Sequence, residues 1–269
     1  RTLGYVYDAG QDVADVGKKA YCMFMTENGL DPTSFSSLAK FENDVIAFAR
    51  GHLNGNDEVV GNFTSGGTES ILLAVKAARE FCQNKDPNIT APEMILPTTV
   101  HAAFHKAAKY FGVKVVMVGV DPETFKADPA KIEAAISDQT ILIVASATQY
   151  GHGVVDPIGA IASIAKKHDC LFHVDACIGG FLLPYFERLG QKVEPWDFRV
   201  DGVTSMSMDY HKYAYCPKGA SVVLYHNKDL RRHQIFACAN WTGYSVVNST
   251  VQSSKSGGPL AAAWAVINY

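Results

Sequence analysis

An α/β fold with a mostly parallel sheet and helices on both faces is what this sequence predicts, on three observations. From Asn62 onward, short apolar runs alternate with segments of helical period. No repeat or low-complexity tract interrupts the alternation. The composition, 48% hydrophobic and 19% charged over 269 residues, is that of a globular chain with a sizeable core.

Each element follows from its local pattern. Residues 12–25 and 38–53 carry apolar side chains at helical intervals, with Phe41, Val45, Phe48 and Ala49 on one face of the second stretch. Asn28, Gly29, Asp31 and Pro32 between them are loop formers. Further helices are predicted over 71–81, 101–110, 129–137 and 158–168. Strands are predicted over 93–97, 114–118, 140–147, 171–174, 202–206 and 221–225. This gives one main α/β domain over 51–250, preceded by an N-terminal helical segment, 1–50. The first residue is Arg1, and 258–269 stops within a helical pattern, so a piece of a longer protein is expected.

Composition excludes some functions. A net charge of −3 and a pI near 6.3 argue against general affinity for nucleic acid or anionic membranes, but not against a local phosphate site. Six cysteines lack metal-ligand spacing and are expected reduced, in a cytoplasmic protein. No apolar run approaches the roughly 20 residues of a membrane span, and no signal peptide is visible.

Ligands of open α/β sheets bind at the carboxyl ends of the strands. Two residues there stand out. Lys212, in Asp209-Tyr210-His211-Lys212-Tyr213, follows an apolar strand dotted with hydroxyls, including Ser205 and Ser207. Asp175 closes the apolar run 170–174, two residues beyond His173 and on the same face. An amine that forms a Schiff base and a carboxylate for a pyridinium nitrogen are what pyridoxal phosphate chemistry needs. A lysine that attacks an aldehyde must be neutral, so a lowered pKa is expected for it. The other readings are a polar loop for Lys212 and a turn former for Asp175. The turn 64–70, with Gly66, Gly67 and Thr68, is either an anion site at a helix N-terminus or a plain capping turn with Ser65 or Thr68 as cap. His101 either stacks on a planar ligand or is a solvated helix-start residue; His105 is expected on the helix surface.

Taken together, TSGGTES (64–70), VHAAFHKAA (100–108), HVDACIGGF (173–181) and DGVTSMSMDYHKYAYCPKGAS (201–221) resemble the group II pyridoxal-phosphate-dependent decarboxylase family, of fold type I. Within that family the likeness is to its sphingosine-1-phosphate lyase branch, from about Tyr5 to the end. The resemblance implies that 51–250 is the pyridoxal-phosphate-binding large domain and that 251–269 begins the connection to a small C-terminal domain. It implies Lys212 as the Schiff-base lysine, Asp175 on the pyridine nitrogen and His101 on the ring. Gly67, Thr68 and His211 would hold the cofactor phosphate, helped by Ser207. In a homodimer, Ser254 and Gly257 would complete the partner's phosphate site. Tyr150 and Lys218 match positions near the substrate and are expected in proton transfer or phosphate contact, with His152 a lesser candidate. The implied reaction is retro-aldol cleavage of a phosphorylated sphingoid base to a long-chain aldehyde and phosphoethanolamine. The alternatives are amino-acid decarboxylation and a non-catalytic role in assembly. The segment 253–258 keeps one Ser and both Gly of the branch's pattern. Asp31 stands where the branch has a His thought to help hold the substrate phosphate; an acid there would repel that group.

Overall fold

The computed structural model describes residues 5–31 and 33–269. Arg1–Gly4, at the head of the expected N-terminal segment, and Pro32 lie outside the described residues. Seven strands make the central sheet: β1 (Val60–Thr64), β2 (Glu93–Pro97), β3 (Lys114–Val118), β4 (Thr140–Ser146), β5 (Leu171–Asp175), β6 (Ser205–Asp209) and β7 (Ser221–Tyr225). Their order is β1-β7-β6-β5-β4-β2-β3. Strand β7 is antiparallel to both neighbours; the other pairings are parallel. The reversal has a local cause. Parallel strands need a long crossover, and residues 210–220 between β6 and β7 form a tight loop instead.

Nine helices surround the sheet among the described residues: α1 (Gln11–Phe24), α2 (Ser36–His52), α3 (Gly67–Lys85), α4 (Ala103–Phe111), α5 (Pro129–Ala134), α6 (Ile158–Lys167), α7 (Gly179–Arg188), α8 (Lys228–Arg231) and α9 (Gly258–Ile267). Alternate strand residues face opposite layers. Met94, Leu96, Leu142 and Val144 pack with α3 and α4. Ile95, Ile143, Ala145, Phe172 and Val174 pack on the other side with α2, α5 and α6. A short hairpin, β8 (Phe236–Cys238) with β9 (Val246–Asn248), lies apart. No helix among the described residues is long and apolar enough to cross a membrane.

Four departures from expectation bear on the site. Helix α3 begins at Gly67, not at 71, so a glycine opens its first turn. Helix α4 begins at Ala103, leaving His101 ahead of it. Strand β6 runs 205–209 rather than 202–206, because Gly202 holds the preceding turn at φ +107°. Helix α7 was not foreseen, because its Gly179-Gly180 start reads as loop. Both glycines sit where the helix meets the sheet: a Cβ would come within 2.3 Å of the Ala147 carbonyl at Gly179 and 2.5 Å of Met208 at Gly180.

Candidate active site

A cavity of about 430 Å³ opens at the carboxyl ends of β4, β5 and β6, against the start of α3. Lys212, Asp175, Gly67, Thr68, His101, His211, Tyr150 and Lys218 all line it. Thus eight of the eleven expected site residues converge.

Lys212 sits three residues past the end of β6, in a loop closed by the His211 amide, which donates to the Ala220 carbonyl at 3.0 Å, and by the His211 ring, whose Nδ1 accepts from the Ala220 amide at 3.2 Å. Its Nζ lies 2.9 Å from Asp209 Oδ2. The expected lowering of its pKa is overturned. Burial by itself lowers it, but the Cys177 sulfur, the Asp209 and Asp175 carboxylates and the Asp209 hydrogen bond raise it above the ordinary lysine value. Burial also pushes the Cys177 thiol well above its ordinary value, and the charged partner at hydrogen-bond distance from the amine is Asp209. The sequence could not show this, because Asp209 reaches the amine only through the turn that follows β6.

Asp175 closes β5, with Oδ1 accepting from the Cys177 amide and the Ser207 hydroxyl, each at 3.1 Å. Both of these hydrogen bonds fall on Oδ1, and Asp175 lines the cavity. Behind the carboxylate lies a buried relay. His173 is fully buried and its pKa is pushed down by burial to about 4, so the ring is neutral. Ser207 gives its proton to Asp175, so His173 Nε2–H must donate to Ser207 at 3.1 Å, and Nδ1 must accept from Ser205 at 2.8 Å. This corrects the expected role of Ser207. Its hydroxyl is fully enclosed behind Asp175 and holds that carboxylate rather than facing a phosphate.

The glycine turn is open to an anion. No side chain caps α3, which removes the plain capping reading for Ser65 and Thr68. Gly66 holds φ +149°, a conformation that favours glycine. The Glu69 carboxylate, nearly buried, pins the turn by accepting from the Ser65 amide at 2.6 Å and, through its other oxygen, from the Val251 amide at 2.9 Å. Uncapped amides at a helix N-terminus suit a phosphate.

His101 is exposed, and its Nδ1 accepts from the Ala103 amide at 3.1 Å, which fixes the ring beside the cavity. His105 is on the helix surface, as expected. Tyr150 is exposed at the rim, and a hydrogen bond with Tyr5 raises its pKa. Lys218 donates to the His211 carbonyl at 2.8 Å and lies 4.7 Å from the Tyr7 ring centre. Burial, then Lys212, pulls its pKa down. His152 does not line the cavity; it stacks on Phe125 at 4.2 Å and bonds Gln149.

Ser254 and Gly257 lie outside this cavity, on a neighbouring one that shares Ser65 and Glu69. Gly257 is packed against this chain's own Leu38 and Phe24, 2.7 and 3.0 Å from a would-be Cβ, so a bulky residue there is no clean probe of cofactor retention. Asp31 also lies elsewhere. It is exposed, held by Thr33 and Ser34, and its pKa is lowered to about 2 by those hydrogen bonds. The residues that sequence reasoning missed are Asp209, Glu69, Cys177, Tyr5 and Tyr7. Asp209, Glu69 and Cys177 stood inside quoted motifs, and what they lacked was any sign of direction.

The donor set fits pyridoxal phosphate: a half-buried amine, a strand-end carboxylate held through one oxygen, a ring held at the mouth, and an uncapped glycine turn for the phosphate. No cluster of metal ligands occurs among the described residues.

The family model described as the pyridoxal-dependent decarboxylase conserved domain matches residues 38–255. The sphingosine-1-phosphate lyase of Dictyostelium discoideum is 44% identical over 265 residues, covering 98% of this chain and 50% of that protein. That of Saccharomyces cerevisiae is 41% identical over 269 residues, covering 99% and 46%. The chain therefore spans about half the length of the curated relatives it matches. A solved structure of a Burkholderia pseudomallei sphingosine-1-phosphate lyase superposes with a TM-score of 0.95 at 37% identity, covering 98% of this chain and 62% of that one. Lactobacillus brevis glutamate decarboxylase, at a TM-score of 0.80 and 19% identity over 96% of this chain and 60% of that one, shares the fold. With a fold type I sheet, a strand-end lysine and carboxylate, and a family match over most of its length, this chain belongs to the pyridoxal-dependent decarboxylase family.

Proposed function

We propose that this chain serves a pyridoxal-phosphate-dependent carbon–carbon lyase. Its substrate is a phosphorylated sphingoid base of the sphingosine 1-phosphate type, cleaved by retro-aldol chemistry to a long-chain aldehyde and phosphoethanolamine. The observation that carries the reading is the convergence of Lys212, Asp175 and the uncapped glycine turn on one cavity. Likeness to proteins named sphingosine-1-phosphate lyase over nearly the whole chain supports the substrate class.

Pyridoxal phosphate, when bound, supplies an electron sink for the pair released from the breaking C2–C3 bond. The chain's own residues do the rest. Lys212 offers the amine that anchors the aldehyde. Asp175 Oδ2 presents negative charge to the pyridine nitrogen, and the His173–Ser207 relay keeps that carboxylate oriented. The Gly67 and Thr68 amides, with His211, receive the phosphate, and His101 covers the ring. Tyr150 and Lys218 hold or move a proton at the C3 hydroxyl of the substrate. A neutral Lys218 amine accepts that proton, and burial biases it in that direction.

The same reading assigns a cytoplasmic homodimer in which residues 254–257 of one subunit reach the phosphate of the other. Sedimentation of the full-length protein checks the dimer, and a monomer at all concentrations would overturn it.

Amino-acid decarboxylation is the second reading, favoured by the family's own description. Purified protein with added cofactor, offered phosphorylated sphingoid bases and L-amino acids, separates the two. Long-chain aldehyde without carbon dioxide is expected; carbon dioxide without aldehyde sinks the lyase reading. Lys212→Ala should abolish the cofactor absorbance band and lower turnover at least about a thousandfold.

A further inference from the structure

Asp209 touches the pocket lysine, yet the reading above gives it no task. It closes β6, is 2% exposed, and pairs through Oδ2 with Lys212 Nζ at 2.9 Å and with His211 Nε2 at 3.5 Å. Its Oδ1 is buried and accepts no hydrogen bond among the described residues. On the far side stands the first turn of α3: a Cβ on Gly67 would come within 2.9 Å of both carboxylate oxygens and of Cys177 Sγ. The carboxylate is therefore walled in, with no room to turn away from the amine.

The titratable groups facing it are few. From its own loop come His211, Lys212 and Lys218. The turn after β5 presents Cys177, with a protonated thiol, and Asp175 lies beyond Lys212. The N-terminal segment presents Tyr7. Helix α3 meets it with a glycine and so with no charge. Lys212 is the one of these in direct ion-pair contact at hydrogen-bond distance.

We propose that Asp209 is a positioning residue for Lys212: it holds the unlinked amine in the pocket as an ammonium and thereby sets the pH dependence of its linkage to the aldehyde of pyridoxal phosphate. The inference rests on the cofactor reading above. The linkage balances as follows. Lys212 ammonium and the aldehyde give a protonated C=N bond and one water, with charge conserved. Attack on the carbonyl carbon needs the lone pair, so the ammonium proton must leave first and return to the nitrogen as water is expelled. Asp209 faces a positive nitrogen before and after, and opposes the neutral state between.

The test uses the full-length protein stripped of cofactor and remixed with pyridoxal phosphate, the absorbance band being followed by stopped flow across pH. Asp209→Asn should move the midpoint of the rate profile down by at least about one pH unit, making linkage about tenfold faster near neutrality. Asp209→Glu should move it back toward wild type. An unshifted midpoint in Asp209→Asn, whether or not the rate falls, overturns the role. Absence of the band in wild type would instead overturn the cofactor reading. If Asp209→Asn does not fold, reductive methylation of Lys212 in cofactor-free wild type, read by peptide mass spectrometry, decides. Half-labelling above the pH of an ordinary surface lysine is expected, and half-labelling at or below it counts against Asp209.

Discussion

At the scale of single residues, the site is set by polar groups that hold other polar groups. Asp175 would be free to swing at the end of β5 were its Oδ1 not held by the Cys177 amide and the Ser207 hydroxyl. Ser207 is oriented in turn by a histidine that burial keeps neutral. A neutral buried histidine carries a pH signature. The folded-state pKa of His173 is about 4, below the ordinary 6.5, so between those values the unfolded chain binds a proton that the folded chain refuses. Its contribution is therefore present above the higher value and is lost as pH falls through the window, by up to about 3 kcal/mol. Urea unfolding between about pH 7 and about pH 4.5 should show His173→Asn to be less pH-dependent than wild type by roughly 2 kcal/mol. Parallel curves for the two proteins would refute the neutral relay.

Elements reach the site because glycines let them approach. Helix α7 rides so close to β4 and β6 that Gly179 and Gly180 face a carbonyl and a methionine at less than contact distance for any added carbon. The cost of helix-unfavourable residues is offset by packing of the turn that carries Cys177 into the pocket wall. Gly179→Ala should destabilise the fold by about 1–3 kcal/mol in denaturant unfolding, through overpacking. It should also weaken cofactor retention, because the turn that bonds Asp175 lies directly before the helix. Stability unchanged within about 0.5 kcal/mol would show that α7 has room to move. Strand β6 makes a related point. Its shift to residues 205–209 puts Asp209, rather than Met206, at the carboxyl end, and so puts a carboxylate beside Lys212.

For the whole molecule, the first and last helices among the described residues meet. Helices α1 and α2 pack with α9: Phe41 stacks on Trp264 at 4.6 Å, Phe24 meets Phe41 edge-on at 5.1 Å, and Trp264 Nε1 donates to Asp44 at 2.8 Å. The sequence divisions 1–50 and 251–269, read as separate flanks, thus share one apolar contact. Truncating Trp264→Ala should cost about 3 kcal/mol, measured by chemical unfolding, and should leave the cofactor absorbance band intact because the cluster lies away from the pocket. A lost band with unaltered stability would contradict that placement.

The fold class and six of the seven sheet strands are legible in the sequence, because strand and helix periods are local, and the lysine and aspartate are legible as strand-end groups, where open α/β sheets present their ligand sites. The grouping of Gly67, Thr68, His101, Asp175, His211 and Lys212 came from the family resemblance, and the structure brings all six to one cavity. Tertiary structure decided what those groups are next to. Ser207 turns inward because β6 pairs with β5 in a register that sets it opposite Asp175. Lys212 becomes a held ammonium because a tight loop returns it to Asp209. The physical reason is common to both. A residue type fixes which charge or proton is available, whereas its direction, burial and partner depend on backbone that lies far away along the chain.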